Sequence, residues 1–163
     1  MEDALTHDIE LYPLESFKIL LDHELHRSRR YKHPLTLIHV AVEADPHTPQ
    51  TQHSAEVFAI NILNLQLRDT DIPCKMGGEF IVLMPSTDEQ GGRTACERLE
   101  KLFRVTQQTY DRISFQLFAF IGTTSTDGTS LVHSSTLIEE ASAAMQHARV
   151  NRSQNAVLFS EIT

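Results

Sequence analysis

The sequence predicts an α/β fold (α+β) in which a mainly antiparallel central sheet is flanked by helices. Three observations carry this. Apolar residues recur at helical spacing early in the chain, short runs rich in β-branched residues alternate with the helical stretches, and Gly77-Gly78 separates two such runs where a hairpin turn belongs.

In residues 12–31, Phe17, Leu20, Leu21 and Leu25 form one stripe at i, i+3, i+4 spacing, while Lys18, His26, Arg29 and Arg30 lie elsewhere, as in an amphipathic helix. Pro34 ends the pattern because the residue before a proline disfavours the α region. LTLIHVAV (35–42) is a short apolar run and reads as a buried strand. Residues 43–54, EADPHTPQTQHS, hold Pro46 and Pro49 without apolar period and read as a loop, with Ser54 as N-cap. The helix that follows, 55–68, is apolar around much of its girth (Val57, Phe58, Ile60, Ile62, Leu63, Leu65, Leu67), which predicts deep burial.

IPCKMGGEFIVLM (72–84) predicts two strands joined at Gly77-Gly78, whose freedom at positive φ suits a tight turn; Pro85 closes the second strand. A third helix runs from Asp88 to about Gln107, weakened in its first turn by Gly91-Gly92. ISFQLFAFIG (113–122) is strand-like, 123–130 a loop, 135–150 a last helix and NAVLFS (155–160) a last strand. The central β-α-β-β-α-β order is the ferredoxin-like split pattern, with helices expected on one face of the sheet.

At 163 residues the chain suits one domain, here 11–163 behind an acidic tail at 1–10. Fourteen Lys+Arg against 22 Asp+Glu leave a net charge of −8, which argues against nucleic acid or an anionic membrane surface as partner. No apolar run approaches the ~18–20 residues of a membrane span, and the acidic start lacks the basic-then-apolar order of a signal peptide. Cys74 and Cys96 are too few for a disulfide scaffold, so buried packing in a reducing cytoplasm is the expectation. His23 and His26 have no third metal ligand in view, and His39 reads as a hydrogen-bonded core residue. Asp69, Asp71, Asp88 and Glu89 read as a solvated acidic face, and no nucleophile-elbow, P-loop or zinc-helix motif is present.

KMGGEFIVLMP (75–85) resembles the signature hairpin of the GGDEF domain, the diguanylate cyclase family that makes cyclic di-GMP from two GTP. Further segments are similar in consistent order: LYPLESF (11–17), RRYKHPLTLI (29–38), ACERLEKL (95–102), FIGTTS (120–125) and EEASAAMQHAR (139–149). The resemblance implies a GGDEF-like fold over roughly 10–160.

It also implies where the family's chemistry would sit, and there the chain departs. The metal-binding Asp that closes the first strand is matched by Ala41, which cannot ligate, with Glu43 where a second acid would stand. The signature reads either Gly77-Gly78-Glu79-Phe80 with one residue deleted or Met76 to Phe80 ungapped, and either way its middle Asp is missing. The guanine- and phosphate-reading loop is shortened to DPHTPQTQHS, and Arg149 replaces a phosphate-contacting Lys. The resemblance therefore implies a non-enzyme with neither bound metal nor other cofactor.

A second set matches the family's inhibitory R-x-x-D site for product cyclic di-GMP: Arg68 and Asp71, five residues ahead of Gly77, with Arg98 on the next helix. Guanidinium groups fork phosphate oxygens and stack on guanine, and Asp accepts from the guanine N–H edge. Arg68 and Asp71 at i, i+3 are expected to share one face where their helix ends. The function expected is a cyclic di-GMP receptor in bacterial second-messenger signalling, acting through a homodimer or a regulatory protein partner. The alternatives are a ligand-free interaction or dimerisation scaffold and a GTP-sensing domain.

Overall fold

The computed structural model describes residues 11–104, 107–110 and 113–162. The elements run α1 (Leu14–Tyr31), β1 (Leu35–Asp45), α2 (Pro49–Gln66), β2 (Ile72–Met76), β3 (Glu79–Pro85), α3 (Glu89–Phe103), β4 (Gln107–Tyr110), β5 (Ile113–Thr126), α4 (Ser134–Val150), β6 (Val157–Leu158) and a 3-10 turn at Phe159–Glu161. The sheet order is β2-β3-β1-β5-β4, every neighbouring pair in that order antiparallel, and β6 adds to β5 in parallel. This is the α+β architecture that the element order predicts.

Alternation along β1 divides the core. Ile38, Val40, Val42 and Ala44 pack with Phe80, Val82, Phe115 and Leu117 beneath α2 and α3. Leu35 and Leu37 point the other way, with Ile81 and Leu83, onto Phe17, Leu21 and Leu25 of α1 and Leu137 of α4. Ala41 and Phe120 continue that second face under Met145 and Ala148. Helices thus cover both faces, where one covered face is expected. The reason is that odd and even positions of β1 are both apolar, and a strand buried on both sides needs two layers.

Several boundaries move. The segment 43–54 is mostly structured: β1 runs to Asp45, and α2 begins at Pro49 because Thr48 and Thr51 exchange side-chain-to-backbone hydrogen bonds in a capping box with Pro49 in the first turn. Ser54 is therefore inside the helix, donating to Gln50 O at 3.0 Å. α2 is buried along one face only, and Leu65 is 75% exposed. α3 stops at Phe103, short of the Gln107 read as its end, and Gln107 instead opens β4, which pairs Gln107 with Gln116 and Gln108 with Phe115. β5 extends through residues 123–126, read as loop, because Leu35 to Ile38 of β1 pair with Thr126 to Thr123. The last strand shrinks to two residues.

The β2–β3 hairpin is as read: Met76 pairs with Glu79 across Gly77-Gly78, and Gly77 has φ 61°. Gly122 of β5 has a different task. A Cβ there would enter the backbone of α4 at Ala144 and Met145, so only glycine lets that helix lie directly on the strand.

Candidate functional site

α2 ends at Gln66, so Arg68 and Asp71 lie beyond the helix rather than on its last turn. Leu67 is extended, and the chain then folds back with the Asp71 amide donating to Arg68 O at 3.0 Å. Asp71 closes the turn from inside. Its Oδ2 accepts the Arg68 amide at 2.8 Å and Arg68 Nε at 3.5 Å, and its Oδ1 accepts Arg68 Nη2 at 3.0 Å. The Asp71 side chain is 1% exposed and that of Arg68 53%, so the acid is a floor and the guanidinium the surface. This corrects the solvated acidic face expected of Asp71. Arg68 Nη2 also donates to Thr87 Oγ1 at 2.7 Å and Pro85 O at 3.3 Å, which fixes the guanidinium plane against the end of β3.

Arg98 comes to the same place from α3. A depression of about 400 Å³ is lined by Arg68, Thr87, Asp88, Thr94 and Arg98 among others, with two guanidinium groups on its walls. No ion pair engages Arg98 among the described residues. The three residues of the R-x-x-D reading are thereby brought to one site, but only the two arginines face it.

The second region is the Gly77-Gly78 end of the sheet. Ala41 is buried between Glu79 and Phe120 on the neighbouring strands and offers no donor. Glu79 projects onto the α4 face, where its Oε1 pairs with His39 Nε2 at 2.8 Å and its Oε2 accepts Arg149 Nη2 at 2.9 Å. Arg149 Nε faces Glu43 Oε2 at 3.5 Å, and Arg152 Nη1 reaches Glu43 Oε1 at 3.0 Å while its guanidinium covers the Phe120 and Phe118 rings at 4.7 and 5.2 Å. Phe80 of the same hairpin is buried on the opposite face.

Burial lowers the His39 pKa, outweighing its hydrogen bond to Glu79, so the ring is neutral near pH 7. The tautomer that fits donates Nε2–H to Glu79 and accepts the Ser142 hydroxyl at Nδ1, 2.8 Å away. Burial raises the Glu79 pKa, but the bonds from Arg149 and His39 together outweigh it and hold the carboxyl below its ordinary value. His39 is the hydrogen-bonded core residue expected of it. These side chains do not suit a divalent cation: Ala41 has no donor, and a guanidinium already bridges the two carboxylates. Among the described residues no group of three or more His, Cys, Asp or Glu side chains could hold a metal ion.

Sequence reasoning missed Thr87 and Asp88 at the arginine depression. Asp88 carried a signal as the residue that opens a helix; Thr87 carried none.

The model of the GGDEF family, described as "Diguanylate cyclase, GGDEF domain", matches residues 57–155. No curated protein matches the sequence. Among solved structures, the GGDEF domain of YfiN (TpbB, PA1120) from Pseudomonas aeruginosa superposes with a TM-score of 0.78 at 18% identity, covering 91% of this chain and 96% of that one. The GGDEF domain of DgcB from Caulobacter crescentus, in complex with c-di-GMP, gives 0.75 at 11% identity, over 94% and 92%. The diguanylate cyclase SiaD of P. aeruginosa, in complex with its activator SiaC, gives 0.76 at 21% identity, and here the match spans 88% of this chain but only 57% of SiaD. No helix among the described residues is long and apolar enough to cross a membrane.

Proposed function

The chain belongs to the GGDEF family, and from that premise we propose that it is a degenerate member, without cyclase activity, that receives cyclic di-GMP at Arg68 and Arg98. One observation carries the reading: an arginine of the turn after α2 and an arginine of α3 line one depression, the first held in place by a buried aspartate. A fixed guanidinium with a second arginine beside it suits the phosphates of a dinucleotide. That DgcB is a GGDEF domain in complex with c-di-GMP supports the ligand class.

The loss of catalysis rests on Ala41 and on the pairing of Glu43 and Glu79 with Arg149. Phosphoryl chemistry of this kind needs metal-held charge at the phosphates, and the carboxylates that would hold it are already neutralised. The test is calorimetric titration with cyclic di-GMP, with Arg68→Ala as control, beside an assay for cyclic di-GMP formed from GTP and Mg²⁺. Micromolar or tighter binding that the variant loses, with no product from GTP, supports the reading. Product formation would sink the proposed loss of cyclase activity.

A second reading is a protein interaction module that takes no nucleotide. Its support is SiaD, a structural neighbour in complex with a protein activator. A melting temperature unmoved by cyclic di-GMP or by GTP would favour it.

A further inference from the structure

We propose that two copies of this chain pair across a two-fold axis beside Pro34, the basic end of α1 in each copy seating on an acidic depression of the other. Neither patch needs a bound nucleotide, so the pairing stands apart from the receptor reading.

Charge is unevenly spread along the chain. Residues 23–33 hold Arg27, Arg29, Arg30 and Lys32 with three histidines against one acid, Glu24, although the net charge of the whole is −8. Of the four cations only Arg27 is in an ion pair among the described residues, with Glu24 at 3.3 Å. Cations in the last turn of α1 answer the helix dipole, which accounts for Arg29 and Arg30 as such. It does not account for Tyr31, which is 55% exposed among them with the Arg30 guanidinium 5.5 Å from its ring centroid. Exposed tyrosine and arginine together are what interfaces use as anchors.

The acidic partner surface is on the same molecule. A depression of about 470 Å³ is lined by Asp88, Glu89, Asp127 and Glu140. Asp88 is fixed at its rim by the Thr36 hydroxyl, 3.2 Å from Asp88 O. None of the four carboxylates is in an ion pair among the described residues, and there no set of them could hold a metal ion. Leu131, between the lining residues Ser130 and Val132, is 74% exposed.

The two patches are neighbours. Pro34 borders the acidic depression and also a groove of about 300 Å³ lined by Arg27 and His33. Gly128 lies so close to the end of α1 that a Cβ on it would come within 2.7 Å of the Ser28 and His33 carbonyl oxygens. Asp127 does not turn back on those cations, because its Oδ1 accepts the Thr129 amide at 2.9 Å and the Thr129 hydroxyl at 2.6 Å.

Opposite charges side by side are self-complementary under a two-fold axis. Each basic end meets an acidic depression, both contacts form at once, and the assembly closes at two copies. Each contact also brings Tyr31 of one copy to the patch that carries Leu131 of the other. The same layout disfavours a long uniform polyanion, which would lay its charges on the acidic depression as it covered the basic end. Two chains of like net charge repel at a distance, so the pairing depends on this local match and is salt-sensitive.

Sedimentation velocity of the full chain tests it. At low ionic strength the chain should show a monomer–dimer equilibrium, and raising salt from about 50 to about 500 mM should weaken the dimer by about tenfold or more. Arg30→Glu with Lys32→Glu should abolish the dimer, and so should Glu89→Lys with Asp127→Lys, thermal melts confirming that both variants fold. Mixed in equal amounts, the two variants should recover a dimer within about threefold of the parent's affinity, since reversed patch then meets reversed patch and the untouched pair meets as before. A parent chain that stays monomeric at low salt, a dimer that survives either reversal, or a mixture that stays monomeric overturns the pairing. Oligomers that grow beyond two copies with concentration overturn the two-fold closure. Should a reversal unfold the chain, Tyr31→Ser and Leu131→Ser at exposed positions take its place; each should weaken the dimer by about fivefold or more, and an unchanged dimer in both overturns the proposal.

Discussion

Arg149 Nη2 lies 2.9 Å from Glu79 Oε2, joining the end of α4 to the first residue of β3 across a separation of 70 residues. Each partner is a little under a third exposed, so the pair is screened by water yet not free of desolvation. Arg149→Ala should lower stability by about 1–2 kcal/mol, since it leaves Glu79 half-buried with His39 as its remaining partner. Urea unfolding measures it, and Glu79→Gln in the same background should recover part of the loss.

Acid should loosen the same end of the sheet. His39 has a lowered pKa in the folded chain, so below the ordinary value of 6.5 the unfolded chain binds the extra proton first and stability falls with pH. Glu79 also has a lowered pKa, and its contribution is lost as pH falls below its ordinary value of 4.5. Melting temperature should therefore decline from pH 7 downwards in two stages. His39→Gln should flatten the upper stage and leave the lower one.

Two leucines of α2 should answer oppositely to truncation. Leu63 is fully buried, and Leu63→Ala should cost about 2–5 kcal/mol. Leu65→Ala, at an exposed position, should change stability by less than about 0.5 kcal/mol. A similar cost at both positions would contradict the single buried face of α2.

Arg98→Ala should weaken cyclic di-GMP binding by about tenfold or more and leave the melting temperature within about 2 °C, because the side chain is exposed and makes no ion pair among the described residues. Raising the salt concentration should weaken the parent chain more than the variant. Calorimetry at two ionic strengths reads both effects.

Neither cysteine should react with a thiol reagent while the chain is folded. Burial pushes Cys74 up to about 11 and Cys96 up to about 12, so almost no thiolate is present near neutral pH. Both should react once denaturant unfolds the chain, and fast labelling of either in native buffer would contradict their placement.

What the sequence discloses is local. The Gly77-Gly78 turn was legible because a two-residue hairpin needs positive φ, and the apolar β1 and β3 because continuous runs mark buried strands. The β4 strand was not, since QQTY has neither the composition nor the alternation of a core strand and owes its state to pairing with β5. Prolines at 46 and 49 suggested a loop; Thr48 and Thr51 turned the second into the first turn of α2. At the site, the spacing of Arg68 and Asp71 was visible and the burial of Asp71 was not, because that burial depends on Arg68 folding over it and on β3 delivering Thr87. Asp88 joins them only because α3 begins where Thr36 pins it.

The margin of the sheet at β2 is closed by the chain itself. Tyr12 runs beside Cys74 in a parallel bridge, its amide donating to Pro73 O at 3.0 Å while Tyr12 O accepts the Lys75 amide at 3.1 Å. Pro73 has no amide hydrogen to offer outward. A bare edge strand is a template onto which further copies can stack, and here its rungs are spent before a second molecule arrives. Removing residues 11–12, which do not line the arginine depression, would therefore tell on the protein first as aggregation rather than as lost ligand affinity.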